Sequence, residues 1–384
     1  METERRTKNI WKNSAVQSIL AAVVCILLGL FVGYLVLLAI HPENAWESIV
    51  TIVKNFLNYP TRPARLKYLG NTLVKTAPLL MCALSIQFCY KVGLFNIGAA
   101  GQYVIGAGAS LACALYLHLP WWVCMLAAFF AGGLYGCIVG ILKAYRNVNE
   151  VISGIMLNWI ALYAVNMWLT GVKESTSPYT YNLSQNAPES MIPDLGLSGL
   201  FANNRYVTIS ILFAVIAAVI VWVIQNKTLL GYELRATGFN KDAAKYAGMK
   251  ENRNIILSLA IGGAFAGIGA AFLYLSGYEQ WSVTQSSVPS MGFNGISAAF
   301  LGGLDPIGTI FASYFIQHIT SGGSYLDKGV YPSQISDLIS AIIIYLCGFV
   351  LFFKTFLNGR IAAREERAIE AAKAKKTEEG GEKT

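Results

Sequence analysis

AVQSILAAVVCILLGLFVGYLVLLAI, residues Ala15–Ile40, runs for 26 positions without a charged side chain. A helix needs about 20 apolar residues to cross a hydrocarbon core about 30 Å thick. The run is also longer than the roughly 7–15 apolar residues of a cleaved signal peptide, so it reads as a retained first span. Val151–Val172, Tyr206–Gln225, Ile255–Tyr278 and Leu338–Phe353 are likewise uncharged. The first three meet the spanning length, and the last does so if it starts before Asp337. Charged residues make up 13% of the 384, against about 25% in soluble domains. The fold class this implies is an all-α, polytopic membrane helix bundle of about 9–10 spans, with one membrane domain over residues 15–356.

The net charge of +8 does not point to nucleic acid, because the basic residues flank spans as the positive-inside bias requires. They cluster at Arg5–Lys12, Lys143–Asn147, Lys227–Arg253 and from Lys354 onward. That bias puts all four clusters, and therefore both termini (residues 1–14 and the tail 357–384), in the cytoplasm of a multi-pass inner-membrane protein. Spans near 15–40, 70–90, 94–118 and 120–142 then join the first two clusters, with Lys91 at a cytoplasmic turn. Segments 151–172 and 206–225 enclose an external loop, 173–205. Residues 226–254 form a cytoplasmic loop. The seven cysteines all lie in apolar stretches without a CxxC pair, and only His41, His118 and His318 are present. Neither a disulfide framework nor a metal site is expected.

Between segment 255–275 and a final span at 333–353 the chain must begin and end outside. Gly292–His318 is too short for two crossings and carries Gly302, Gly303, Asp305 and Pro306, which interrupt a helix. A broken or re-entrant hairpin is the economical solution, and backbone of that kind is tolerated only against protein or a water-filled cavity. This places Leu301–Gly308 near the pore. A similar interruption, GLFNIGAAG, occupies Gly93–Gly101. Paired interruptions in two halves point to a translocation site between structural repeats, here about 70–172 and 255–353. Gly132, Gly136 and Gly140, and Gly263 with Gly267, are spaced for close helix packing.

The cytoplasmic loop contains LGYELRATGFNKDAAKYAGMKEN, residues Leu230–Asn252. Thr228 and Asn240 are candidate helix caps, and Asp242 falls in the first turn of a short helix, where the macrodipole favours negative charge. Small residues Ala243, Ala244, Ala247 and Gly248 offer a flat face among Arg235 and several lysines. Asp242-Ala243-Ala244-x-x-x-Gly248 resembles the coupling motif of ABC-transporter permeases, with Asp in place of the usual Glu. The longer string GYELRATGFNKDAAKYAGM, and GLFNIGAAGQ at Gly93–Gln102, resemble the branched-chain amino acid, simple-sugar and nucleoside class. NEVISGIMLNWIALY (Asn149–Tyr163) and GFNGISAAFLGGLDPIGTIFA (Gly292–Ala312) resemble its nucleoside-type branch. Ala100 stands near where that family has Glu.

The resemblance implies a channel-forming subunit of an importer for a nucleoside-like solute, with a simple sugar or flavin-like compound as alternatives. It implies a heterodimer with a second, homologous permease, an ATPase docked on Arg235, Asp242, Ala243, Ala244 and Gly248, and a substrate-binding lipoprotein. No GxxxxGK[ST] stretch is present, so ATP hydrolysis would belong to a partner and no cofactor to this chain.

Ionisable residues inside spans are functional suspects, and the sequence offers Asp305, with Glu150 and Asp337 at span edges. Amides suit an uncharged, hydroxyl-rich solute better than fixed charges do. Gln87, Asn96, Gln102, Asn158, Asn166 and Asn294 are the candidates; interhelical hydrogen bonding is their ordinary use. Trp159, Trp168 and Trp281 offer stacking surfaces, although tryptophans near span ends commonly sit at the interface. An ion-driven transporter would need buried carboxylates that these spans lack. An intramembrane hydrolase would need converging His, Glu or Asp.

Overall fold

The computed structural model describes residues 14–326 throughout and scattered positions from 331 to 360. The predicted last span at 333–353 with Asp337, and the tail at 357–384, lie outside that continuous stretch of described residues. The described residues are helical apart from connections and two isolated bridges. The chain opens with α1 (Ser14–Ile40), α2 (Ala45–Lys54) and α3 (Arg62–Tyr90). It continues through α4 (Ala99–Leu115), α5 (Trp121–Arg146), α6 (Glu150–Leu169) and α7 (Ser210–Lys227). Two short helices, α8 (Leu229–Phe239) and α9 (Lys241–Tyr246), precede α10 (Glu251–Tyr274), α11 (Met291–Leu301) and α12 (Pro306–Gly323). Among the described residues six helices are long and apolar enough to cross a membrane. This is a polytopic helical membrane bundle.

Helix boundaries follow local chemistry. Asn147 adopts a left-handed conformation (φ 52°) and stops α5, and the Asn149 side chain then accepts from the Val151 and Ile152 amides to start α6. Thr228 and Asn240 cap α8 and α9, as their positions suggested. The bundle is apolar on its outside. Trp122, Leu126, Phe130, Leu134 and Ile138 form an exposed i, i+4 stripe along α5, while Cys124, Ala128, Gly132, Gly136 and Gly140 face inward. Small residues face protein here and bulky ones face lipid, because lipid tails solvate large apolar side chains as well as protein does.

The basic end of the bundle carries Lys91, Lys143, Arg146 and Lys227, where α3, α5 and α7 finish and α6 and α10 begin. The opposite end is covered by 173–205, which folds back through Ser190 Oγ to Leu119 O (2.5 Å) and the Ile192 amide to Leu275 O (3.1 Å). Two related units emerge. In one, α4 packs on α10 and α5 packs on α10; in the other, α11 packs on α3 and α12 packs on α3. Because α3 runs toward the basic end and α10 runs away from it, the units are inverted with respect to each other, and α3 and α10 cross in the middle.

The structure moves one predicted interruption. The first is where the glycines placed it, at 91–98, before the short α4. Its counterpart is the non-helical connection 275–290 before the short α11, rather than Gly302–Asp305. The latter is a tight turn at the basic end, joined there by Gln87 Nε2 donating to Leu304 O (3.0 Å). Leu304 (φ 56°) and Gly303 (φ 69°) make the turn, and Asp305 caps α12. A helix of 11 residues such as α11 spans about 16 Å, half a bilayer, so α11 crosses only the inner half of the bundle. The span predicted at 94–118 is likewise helical only from Ala99.

Candidate functional site

The chain returns into the bundle after Lys91 and meets a knot of buried amides. Asn96 Nδ2 donates to Ser85 Oγ (3.0 Å) and to Gln102 Oε1 (2.9 Å), and Gln102 Nε2 donates back to Asn96 Oδ1 (3.2 Å). Asn158, reaching in from α6, accepts from the Gly101 amide (2.7 Å) and donates to Ile97 O (3.1 Å). Four amide N–H groups at a helix start lack partners within the helix; here a side chain from another helix caps α4. Ser85, Asn96, Gln102 and Asn158 are all buried. The structure therefore brings together three of the predicted pathway amides, with Asn96 and Gln102 turned on each other and Asn158 on the main chain of Ile97 and Gly101.

Asn158→Ala strands the Gly101 amide and the Ile97 carbonyl. It is expected to cost about 1–3 kcal/mol and to lower the melting temperature of the purified protein in detergent. An unchanged melting temperature would show that the knot contributes nothing to holding the re-entrant loop.

The remaining predicted residues separate. Asn166 lies nearer the loop-covered end, donating to Gln285 O (2.9 Å) and accepting from Trp281 Nε1 (2.9 Å). Trp281 is wholly buried, while Trp159 and Trp168 are exposed on the lipid side of α6. Asn294 is half-buried on α11, and its side chain makes no hydrogen bond among the described residues. Asp305 accepts from the Ile307 (3.0 Å) and Gly308 (3.1 Å) amides as the cap of α12. Glu150 pairs with Lys143 (2.8 Å) at the basic end. Ala100 is fully buried, and a Cβ on Gly292 would overlap its backbone, so the starts of α4 and α11 abut with no room for a carboxylate there.

Sequence reasoning passed over Lys75, inside the span placed at 70–90. A lysine within an apolar span was itself the signal. Its ammonium lies 5.3 Å from the centre of the Tyr278 ring. Tyr206 meets Tyr278 edge-on at 5.2 Å; Tyr68 stacks on Tyr59 at 4.0 Å, and Tyr325 sets its edge against both. These tyrosines are half-buried, and Glu279, next to Tyr278, is exposed.

At the basic end, the Asn240 side chain accepts from the Ala243 amide (2.9 Å) to cap α9, and Asp242 lies in its first turn. Ala244 is buried, whereas Asp242, Ala243 and Gly248 (φ 82°) are exposed with open space beside Gly248. Phe239 and Tyr246 project almost fully into solvent, at 92% and 95% exposure. Arg235 is half-buried on α8. A Cβ on Gly238 would collide with the Lys91 carbonyl, so the loop's backbone sits directly on the start of the re-entrant segment. Asn254 Nδ2 donates to Thr237 Oγ1 (2.9 Å) and ties α8 to α10. Burial pushes the Lys91 ammonium's pKa down, with Asp305 opposing and Arg235 adding to the shift.

Inverted units meeting at two short helices, α4 and α11, with a folded loop resting on one of the breaks, define a membrane transport protein. The chain belongs to the branched-chain amino acid transport system permease component family, whose pattern matches residues 68–348. It is 34% identical over 340 residues to the guanosine ABC transporter permease protein NupP of Bacillus subtilis, covering 85% of this chain and 92% of that protein. It is 32% identical over 376 residues to the nucleoside ABC transporter permease protein NupB of Lactococcus lactis, covering 94% and 99%. The glucose ABC transporter permease protein TsgB13 of Haloferax volcanii is 31% identical over 304 residues, covering 76% and 78%. No solved structure matches the chain.

Proposed function

We propose that this permease forms, with a second related permease, the path by which an ATP-driven importer carries a nucleoside across the cell membrane. The basic end faces the cytoplasm, as the positive-inside bias favours. An ATPase docks on α8–α9, and residues 173–205 face outward, where a substrate-binding lipoprotein delivers solute. Residues 15–356 make up the permease domain, and 226–254 the coupling loop.

The observation that carries this reading is the seating of the α8–α9 loop. Its outer side bears two bare aromatic rings, Phe239 and Tyr246, and its inner side touches Lys91–Val92 through Gly238. A protein docked on the rings is thereby one glycine contact from the segment that leads into the Asn96–Gln102 knot. Knot amides satisfied within the protein suit a structural hinge better than a solute ligand, so the pathway role moves to half-open groups such as Asn294.

The test is uptake of radiolabelled nucleosides by cells expressing this chain with its genomic neighbours. Uptake that requires ATP and is lost when the ATPase partner's P-loop lysine is replaced is the expected result. The glucose permease among the relatives makes glucose the necessary competitor. Uptake of glucose and of no nucleoside would overturn the nucleoside assignment.

A further inference from the structure

Lys75 lies on α3 where protein begins to enclose the helix: Thr72, Val74, Thr76 and Ala77 around it are buried, yet its own side chain is partly exposed. Its ammonium points across protein to the Tyr278 ring rather than away from the bundle. Glu279 is more revealing. It is open to solvent, yet protein crowds it enough that burial raises its carboxyl pKa, with the nearby Lys75 ammonium pulling the other way. Glu279 follows Tyr278 directly in the chain, so both charges stand at one aromatic cluster at the end of the bundle where α10 finishes and α7 begins. Neither Lys75 nor Glu279 makes a hydrogen bond or a close ion pair among the described residues. Leaving two such charges dry and unpaired would be costly, so the cluster is open to water. It offers a cationic donor, an anionic acceptor and the flat faces and edges of Tyr278, Tyr206 and Tyr68.

Those groups match one kind of ring. An ammonium donates to the O6 and N7 acceptors of a 6-oxopurine. A carboxylate accepts from the N1–H of the same ring and, in guanine, from the adjacent amino group. Tyrosine rings stack on unpaired bases. A 6-aminopurine turns an amino donor toward the lysine in place of O6 and presents a bare N1 acceptor to the carboxylate, so only the N7 contact survives. Building on the nucleoside reading above, we propose that Lys75, Tyr278 and Glu279 form the outer base-recognition site of this permease and that the site favours 6-oxopurine nucleosides over adenosine.

The experiment measures KM for guanosine, inosine and adenosine in cells carrying the whole transport complex, wild type or variant. Lys75→Met is expected to raise KM for guanosine and inosine roughly tenfold, the effect of losing a hydrogen bond to a charged group, and to leave adenosine within about twofold. Lys75→Arg restores most of the loss. Glu279→Gln penalises guanosine more than inosine, because only guanosine carries the second donor. Tyr278→Ala weakens all three nucleosides. If Lys75→Met fails to assemble, Glu279→Gln alters an exposed side chain at constant size and carries the comparison alone. Equal changes for all three nucleosides, or none, in variants that assemble would overturn the site while leaving nucleoside import intact. A wild-type complex that carries no nucleoside would overturn both readings, which separates the two failures.

Discussion

Gly263→Leu is expected to leave little or no correctly inserted protein, and Gly136→Leu to do the same from the facing helix. These residues sit where α5 and α10 touch backbone to backbone. A Cβ on Gly263 would overlap the Gly132 carbonyl, one on Gly136 the Leu259 carbonyl, and one on Gly267 the Ala128 carbonyl. Overpacking a core typically costs about 1–3 kcal/mol when neighbouring side chains can yield. At this crossing the obstacle is main chain, so relief requires separating two helices. That separation would undo several close contacts at once and would move α4, which packs on both. Even Gly263→Ala is expected to lower yield and melting temperature measurably. Gly199→Ala is the control, since a Cβ there meets nothing within 4 Å, and its yield should equal wild type. Full yield and thermal stability for Gly263→Leu would mean that the crossing is looser than its geometry.

That crossing was legible from Gly132, Gly136, Gly140, Gly263 and Gly267, because small residues at four-residue spacing have one common use in a membrane. Span positions were legible for the same kind of reason: an uncharged run of sufficient length leaves few other options. The caps Thr228 and Asn240 were also readable, since capping depends only on a side chain and the three residues after it. What the sequence hid was depth and pairing. Gly302–Asp305 and Gly93–Gly101 look alike as interruptions, but one is a capped turn at the basic end and the other opens the short helix α4 inside the bundle. The true counterpart, 275–290, carries no comparable run of glycines. The amides were hidden differently. Asn96, Gln102 and Asn158 have the composition of a solute pathway, yet Asn96 and Gln102 bond each other and Asn158 bonds the main chain of Ile97 and Gly101, at separations of 6 to 61 residues in the chain. Lys75 was visible and unweighed, and its meaning depends on Tyr278 and Glu279, about 200 positions away.

On the proposed docking of an ATPase at the α8–α9 loop, docking and transmission are separable by mutation, and both parts of the separation have large expected effects. Phe239 and Tyr246 expose nearly their entire rings, and an aromatic side chain buries about 150–250 Å² when it finds a partner surface. Replacing both by Asp removes that apolar area and puts carboxylates into the contact. The ATPase is then expected to be lost from the purified complex and uptake to fall to background, while the permease still inserts. Gly248→Asp acts on the same surface and adds backbone strain at φ 82°. Gly238→Leu differs in kind. Its side chain would press on Lys91 and Val92 rather than on the partner, so the ATPase should still copurify and hydrolyse ATP while uptake drops at least tenfold. Those two outcomes together would place the transmission step at the Gly238–Lys91 contact, upstream of the Asn96–Gln102 knot. If Gly238→Leu instead lost the ATPase and uptake together, the contact would be serving only to shape the docking surface. If the double Asp variant kept both, α8–α9 would be a linker and the ATPase would have to engage the basic end elsewhere.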